Sequence, residues 1–388
     1  AAGAPYAELL DCRAPGWARE EEKTMASQPS IQPIVSTPPD RAEAFAERMV
    51  GVVNDGCLAL MISVGHRTGL FEAMAGREPS TSGEIAEAAG LQERYVREWL
   101  GAMVLGGVVE HDPEAGSYVL PSEHAASLTR AAGPDNLATI TQYVALLGSV
   151  EDGIVECFRR GGGLPYSAYP RFFAVQSEDS GQLIDATLVQ KTLPTFPDLQ
   201  RRLEEGIDVA DVGCGRGHAA NVMARAFPRS RFVGYDISRD AIEAARAEAE
   251  AWGLANVRFE ASDLATLDVF GRYDLVFAFD AIHDQVEPRR VLKNIARSLR
   301  PGGEFLMVDI KASSHLHENH DHPVGVAFYT ISTMHCMTVS LSAGGEGLGT
   351  MWGEQKAREL LAGAGLGRID VTEIEGDIQN LYYRARPA

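Results

Sequence analysis

The stretch that most constrains this chain is Val209–Ser238, VADVGCGRGHAANVMARAFPRSRFVGYDIS: an apolar strand, a glycine-rich turn, a helix, a second strand and then an acid. That order describes a nucleotide-type ligand site. The strand Ile207–Val212 runs into Gly213, Gly215 and Gly217, where absent side chains let backbone N–H groups approach a ligand at the start of the following helix. A dinucleotide fingerprint needs its third glycine one place later, where this chain has His218, so the spacing argues against it. Asp211 at the strand end suits the ammonium group of an amino-acid ligand and would repel a pyrophosphate. Asp236 closes the second strand, Arg231–Tyr235, 23 residues beyond Gly213, where an acid accepts two hydrogen bonds from a ribose diol.

From these residues onward the chain resembles the class I S-adenosylmethionine-dependent methyltransferases. Ala261-Ser262-Asp263-Leu264 looks like that family's adenine-contacting segment. Tyr273–Phe279 matches its fourth strand, and Leu299–Gly303 the turn before the fifth, Glu304–Val308. The resemblance covers roughly Gln200 to Ala388, about half the chain. It implies an α/β fold, a Rossmann-like domain with a mostly parallel seven-stranded sheet whose C-terminal strand is antiparallel. Arg368–Ile374 and Ile378–Arg386 would be its last two strands. S-adenosylmethionine would be the cofactor and S-adenosylhomocysteine the product. The residues that would hold it are Asp211, Gly213, Gly215, Gly217, Asp236, Ile237, Asp263, Leu264 and Asp280.

At 388 residues the chain is long enough for more than one core. No apolar run of the ~18 residues needed to span a bilayer stands out and no signal peptide opens the chain, so a soluble, cytoplasmic protein is expected. Five cysteines (Cys12, Cys57, Cys157, Cys214, Cys336) with no C-x-x-C pair argue against a disulfide framework or a zinc finger. A net charge of −19 disfavours nonspecific contact with nucleic acid or anionic lipid. Residues 1–40 read as a flexible leader, with Met25 a candidate natural start.

Apolar residues recur at helical spacing from Arg41 to Ala73, consistent with long helices. Thr81-Ser82-Gly83-Glu84 is a capping box for a short helix, Ile85–Ala89. Gln92–Leu105 follows as a second helix, and Val108–Glu110 with Tyr118–Leu120 as a two-stranded wing. Helix, helix, wing is a winged-helix plan, here over 41–130. Those residues hold seven arginines and no lysine against thirteen acids, so the basic face of a DNA reader is missing. The expected role is therefore a dimerisation and lid module, as in the plant-type and bacterial small-molecule O-methyltransferases that this architecture resembles. The partners expected are a small-molecule substrate and a second copy of the chain, with neither nucleic acid nor membrane. A cofactor-sensing regulator that contacts DNA is the alternative from another class.

Residues 131–199 read as a helical connector, with Asn136–Arg159 as a helix, and 200–388 as the methyltransferase domain. Tyr166, Tyr169 and Phe173 lie in a proline-punctuated stretch before that domain, and Met334 and His335 in an apolar helix-length run, Tyr329–Val339. All five are candidate substrate-pocket residues. Directly after the fourth strand come Asp280, His283 and Asp284. An imidazole near its unperturbed pKa of ~6.5 suits removal of a hydroxyl proton, so His283 is the expected general base, with Asp284 beside it. The resembling families carry a His-Asp pair here, usually followed by tryptophan; Gln285 departs from that. Asp309 would fill their first supporting carboxylate, whereas the second position falls near Met351, with Glu354 the nearest acid. Methyl transfer by alignment alone, to nitrogen, carbon or sulfur, is the other enzymatic reading. His315, His317, His320 and His322 read as a surface loop, not as a metal site, and Gly344–Gly349 as a flexible connector.

Overall fold

The computed structural model describes residues 39–388 apart from Gly376, so all but the end of the expected leader lies outside the described residues. Compactness divides the chain after Gly51. The described part of the first unit is the opening of a 30-residue helix, α1 (Pro39–Thr68), with Phe45, Met49 and Val50 exposed. Several helices were expected over 41–73. One helix runs instead until Gly69, at φ 74°, turns the chain into α2 (Leu70–Met74). By length and composition α1 is apolar enough to cross a bilayer, which the sequence reading did not anticipate.

In the second unit the end of α1 is packed inward. Trp99 Nε1 donates to the Met61 carbonyl at 2.8 Å, and a Cβ at Gly65 would sit 2.6 Å from the same indole. The capping box at Thr81 and Glu84 forms as expected and starts α3 (Ser82–Ala89); α4 (Glu93–Leu105) and the wing, β1 (Glu110–Asp112) with β2 (Ser117–Val119), follow. Phe71, Ile85, Leu100 and Met103 fill this core. After α5 (Ser122–Ala125), the single helix expected over 136–159 is two, α6 (Ala138–Gly148) and α7 (Glu151–Arg160). The Ser149 hydroxyl donates back to the Leu146 carbonyl at 2.6 Å, which competes with the helix at the break. Then come α8 (Phe172–Thr187) and α9 (Pro197–Glu205).

The sheet is built from β3 (Asp208–Val212), β4 (Arg231–Asp236), β5 (Val257–Ala261), β6 (Tyr273–Phe279), β7 (Leu299–Ile310), β8 (Arg368–Thr372) and β9 (Asn380–Arg386), in the order β5-β4-β3-β6-β7-β9-β8. Five strands are parallel, and β9 is antiparallel to both β7 and β8. Strand β7 begins at Leu299, absorbing the turn expected before it as a register shift against β6. Helices α10 (His218–Ala226), α11 (Arg239–Ala251), α12 (Pro288–Ser298) and α15 (Gly353–Gly363) cover the sheet. Burial on both faces explains the nearly continuous apolar run of β6. The chain winds outward from β3 to β5, then returns to place β6 on the other side of β3. That reversal opens a crevice at the C-terminal ends of β3 and β6.

Candidate functional site

The crevice is floored by the glycine turn. Gly213, Gly215 and Gly217 have φ of 72°, 52° and 74°, a region that L side chains avoid. At Gly213 a Cβ would also collide with the Ala281 methyl, so the turn and the loop after β6 touch because that side chain is absent. The Gly213 and Cys214 N–H groups donate to the Tyr235 carbonyl at 2.8 and 3.0 Å. Asp236 completes the lattice, with one oxygen accepting from Gly215 N at 2.9 Å and the other from Ser238 N at 2.8 Å. Asp236 thus pins the turn as well as facing the cavity.

Asp211 and Asp280 differ in having no such partner. Asp211 is 5% exposed, has no side-chain hydrogen bond among the described residues, and is pushed up to about 7 by burial and by the Asp236 charge. Asp280 is, among the described residues, the non-glycine residue at positive φ (49°), and its Oδ1 is buried without a partner. Burial, then the nearby Asp309, pushes it up to about 7. Strained backbone and orphaned carboxylate oxygens in one place are costs that a cationic ligand group would relieve.

A cavity of about 580 Å³ runs from Gly213 and Gly215 past Asp236, Ile237, Asp263 and Leu264 to Asp280 and Asp284. Asp263 Oδ1 accepts from Ala265 N at 2.8 Å, so this acid also caps a turn. Tyr166 and Phe173 line the far end of the cavity. Tyr169 and His335 do not; both are buried behind it, and Met334 lines a different cavity. The Tyr169 hydroxyl donates to the Met334 carbonyl. His335 is neutral, its pKa brought down to about 3 by burial and by the charge of His283.

His283 is 3% exposed, and its Nδ1 lies 2.8 Å from Asp309 Oδ1. Burial works to depress the imidazolium, but the Asp309 carboxylate overrides it and holds the pKa well above the usual histidine value. The cavity wall at this point is formed by Ala281 and Asp284, with His283 behind them. Asp284 accepts from the Tyr166 hydroxyl, and burial raises its pKa. Glu354 pairs with Arg358 at 2.7 Å and takes no part. The group sequence reasoning missed is Trp352, whose Nε1 donates to the same Asp309 oxygen at 3.0 Å. It adjoins Met351, where the second carboxylate was sought. The Gly344–Gly349 segment is no free connector: Gly349 N donates to the His283 carbonyl at 3.1 Å and Glu346 N to that of Val286 at 3.2 Å. It clamps the loop that carries His283. In the histidine-rich loop, His322 Nε2 bonds the Lys311 carbonyl at 2.9 Å, and among the described residues no group of three His, Cys, Asp or Glu side chains is arranged to hold a metal ion.

Residues 56–130 match the model of an Rv2258c-like winged HTH domain, and residues 203–365 that of a methyltransferase domain. A fatty-acid O-methyltransferase of Mycolicibacterium smegmatis is 36% identical over 107 residues, 28% of this chain and 38% of that protein. A trans-aconitate 2-methyltransferase of Deinococcus radiodurans is 32% identical over 184 residues, 46% and 65% respectively. The chain thus spans less than two thirds of either relative. Among solved structures, a putative O-methyltransferase of Nostoc punctiforme superposes with a TM-score of 0.68 at 18% identity, covering 90% of this chain and 100% of that one. The mitomycin 7-O-methyltransferase MmcR gives 0.67 at 18%, covering 89% and 99%. At such identities the likeness is one of fold.

Proposed function

We propose that this chain, which joins a winged helix-turn-helix domain to an S-adenosylmethionine-dependent methyltransferase domain, methylates a small molecule at a hydroxyl group. In this reading Asp211 and Asp280 receive the cationic methionine end of S-adenosylmethionine, and Asp236, Ile237, Asp263 and Leu264 the adenosine end. The bound cofactor supplies an activated methyl group. The observation that carries hydroxyl transfer is the His283–Asp309 pair behind the Asp280–Asp284 loop. Asp309 holds Nδ1, which leaves Nε2 as the nitrogen that takes the acceptor's proton. A cation bound among Asp211, Asp280 and Asp284 opposes the charge on His283 and lowers its pKa toward the neutral, basic form. Tyr166 and Asp284 orient the acceptor hydroxyl from the cavity wall.

The domain bounds 41–130, 131–199 and 200–388 belong to the same proposal, as do a cytoplasmic location and a homodimer formed through the N-terminal region. What supports the dimer is the exposed apolar side of α1, where Val52 is 50% and Val53 62% exposed. One observation favours a second mechanism: an imidazole already charged and set behind the wall is poorly placed as a base, so alignment alone would then drive transfer to nitrogen, carbon or sulfur. Methyl-labelled cofactor offered with panels of phenols, alcohols, amines and thiols separates the two. Hydroxyl acceptors should dominate, and His283→Ala should lower kcat by about 10²–10⁴-fold while leaving S-adenosylhomocysteine affinity within twofold. An unchanged kcat would assign transfer to alignment.

A further inference from the structure

Two cavities meet at a shared wall. The first is the chamber of about 580 Å³ already described; the second is a groove of about 1520 Å³ between α6–α7 and the segment from Leu316 to Met334. The groove is apolar, lined by Leu147, Ile154, Val155, Phe158, Val326 and Ile331. Phe158 is 77% and Val326 86% exposed, a concentration of open apolar surface that is unusual on so acidic a chain.

The wall is thin. Tyr143 faces the groove, and its ring centroid lies 6.4 Å from that of Phe172, which faces the chamber. Phe172 stacks on His335 at 3.4 Å and 10°, and the neighbouring Met334 faces the groove again. A π turn, Ser332–Cys336, interrupts the helix between α13 (Gly325–Ile331) and α14 (Met337–Ser342) at this point. Such turns collect at functional sites. His335 is 0% exposed and neither ring nitrogen has a partner among the described residues. A buried imidazole with an unmet donor and acceptor is a free-energy cost that a polar group entering the wall would remove.

We propose that the groove is the second half of the acceptor site. The acceptor is an amphipathic molecule whose extended alkyl or acyl chain lies along the groove, with its hydroxyl head reaching the chamber by displacing the Phe172 ring from the face of His335. His335 hydrogen-bonds the head as it passes. A helix of a second copy could also fill an apolar groove, but it would leave the orphaned His335 and the thin aromatic wall shared with the chamber without a role. The inference rests on the methyltransferase reading only for what happens at the head.

The test uses the full chain saturated with S-adenosylhomocysteine and the neutral fluorophore N-phenyl-1-naphthylamine, displaced by 1-alkanols from butanol to dodecanol. Saturable fluorescence is expected, with alkanol affinity rising roughly fourfold per added methylene. Val326→Glu with Phe158→Glu, both surface positions, should weaken the fluorophore at least tenfold and leave S-adenosylhomocysteine affinity within twofold. His335→Phe, which keeps the stack, should leave the fluorophore unchanged and weaken dodecanol about fivefold. Absent binding, a flat chain-length series, or dodecanol indifferent to His335→Phe would overturn the proposal. So would a double variant that turns dimer to monomer in sedimentation without changing fluorophore binding. Failure of S-adenosylhomocysteine to bind the wild type would instead sink the methyltransferase reading and leave the groove measurements standing.

Discussion

The ends of β3 and β4 and the opposite side of the chamber hold their polar atoms in different ways. On the first side backbone does the holding: Gly213, Cys214 and Gly215 are tied by their own N–H groups to Tyr235 and Asp236. On the second, side chains from distant segments hold one another, as in His283 with Asp309 and Trp352, or Tyr166 with Asp284. A lattice of backbone bonds fixes one geometry for one ligand shape. A side-chain assembly can be re-packed around different acceptors while the cofactor end stays the same.

The comparison is most exposed at Asp211, the buried acid that the backbone lattice leaves unpaired. Its folded pKa of about 7 lies above the unfolded value of ~3.9. The group therefore favours the fold fully below pH ~4, and that contribution is lost as pH rises through 7. Asp211→Asn should stabilise the ligand-free protein at pH 8.5 by up to about 4 kcal/mol, and by about 1 kcal/mol more there than at pH 6. S-adenosylhomocysteine binding should fall in the same variant. Urea unfolding at the two pH values reads the first effect and calorimetry the second. No gain at pH 8.5 would mean that Asp211 is as well held as its neighbour.

Asp236 should behave in the opposite sense. Burial of its carboxylate outweighs the backbone hydrogen bonds and raises its pKa, but it accepts two backbone N–H groups that a smaller side chain would leave buried without an acceptor. Asp236→Ala should therefore destabilise the ligand-free protein by about 2–3 kcal/mol in the same urea experiment. A loss confined to ligand binding, with unfolding unchanged, would remove the structural half of its role.

The same contrast sets what could be read from the chain. The order β3, glycine turn, α10, β4 is local chemistry, since each strand ends where its apolar run ends and each glycine stands where φ is positive. Asp211 and Asp236 were legible for that reason. The loop after β6 was readable only by resemblance, because His283 meets Asp309 across 26 residues and Trp352 meets it across 43. An indole N–H needs a partner when buried, but nothing at Trp352 in the sequence says which. The break between α6 and α7 follows Gly148, the last residue of α6, a lone glycine that does not by itself distinguish a break from a continuing helix, and the Ser149 back-bond completes it. The groove was invisible, since its two banks come from α6–α7 and the Leu316–Met334 segment, and each bank alone reads as ordinary helix and loop.

The smallest predicted effect tests the side-chain assembly at its least obvious member. Trp352 donates to the oxygen of Asp309 that also faces His283 Nδ1. Removing that donor leaves the carboxylate less neutralised and the imidazolium better stabilised, so the His283 pKa, already well above the ordinary value, should rise further. A hydrogen bond of about 0.5–1.5 kcal/mol corresponds to about half to one pH unit. In Trp352→Phe the imidazole Cε1–H resonance, assigned against His283→Ala and followed by NMR without any acceptor, should titrate later by that amount. Any hydroxyl-transfer rate should rise with pH along the same displaced curve, because only the neutral imidazole takes a proton. An unmoved titration would reduce Trp352 to packing and leave Asp309 and Cys336 to set the His283 pKa. The second side of the chamber would then be separate pairs, His283 with Asp309 and Tyr166 with Asp284, with no network joining Trp352 to them.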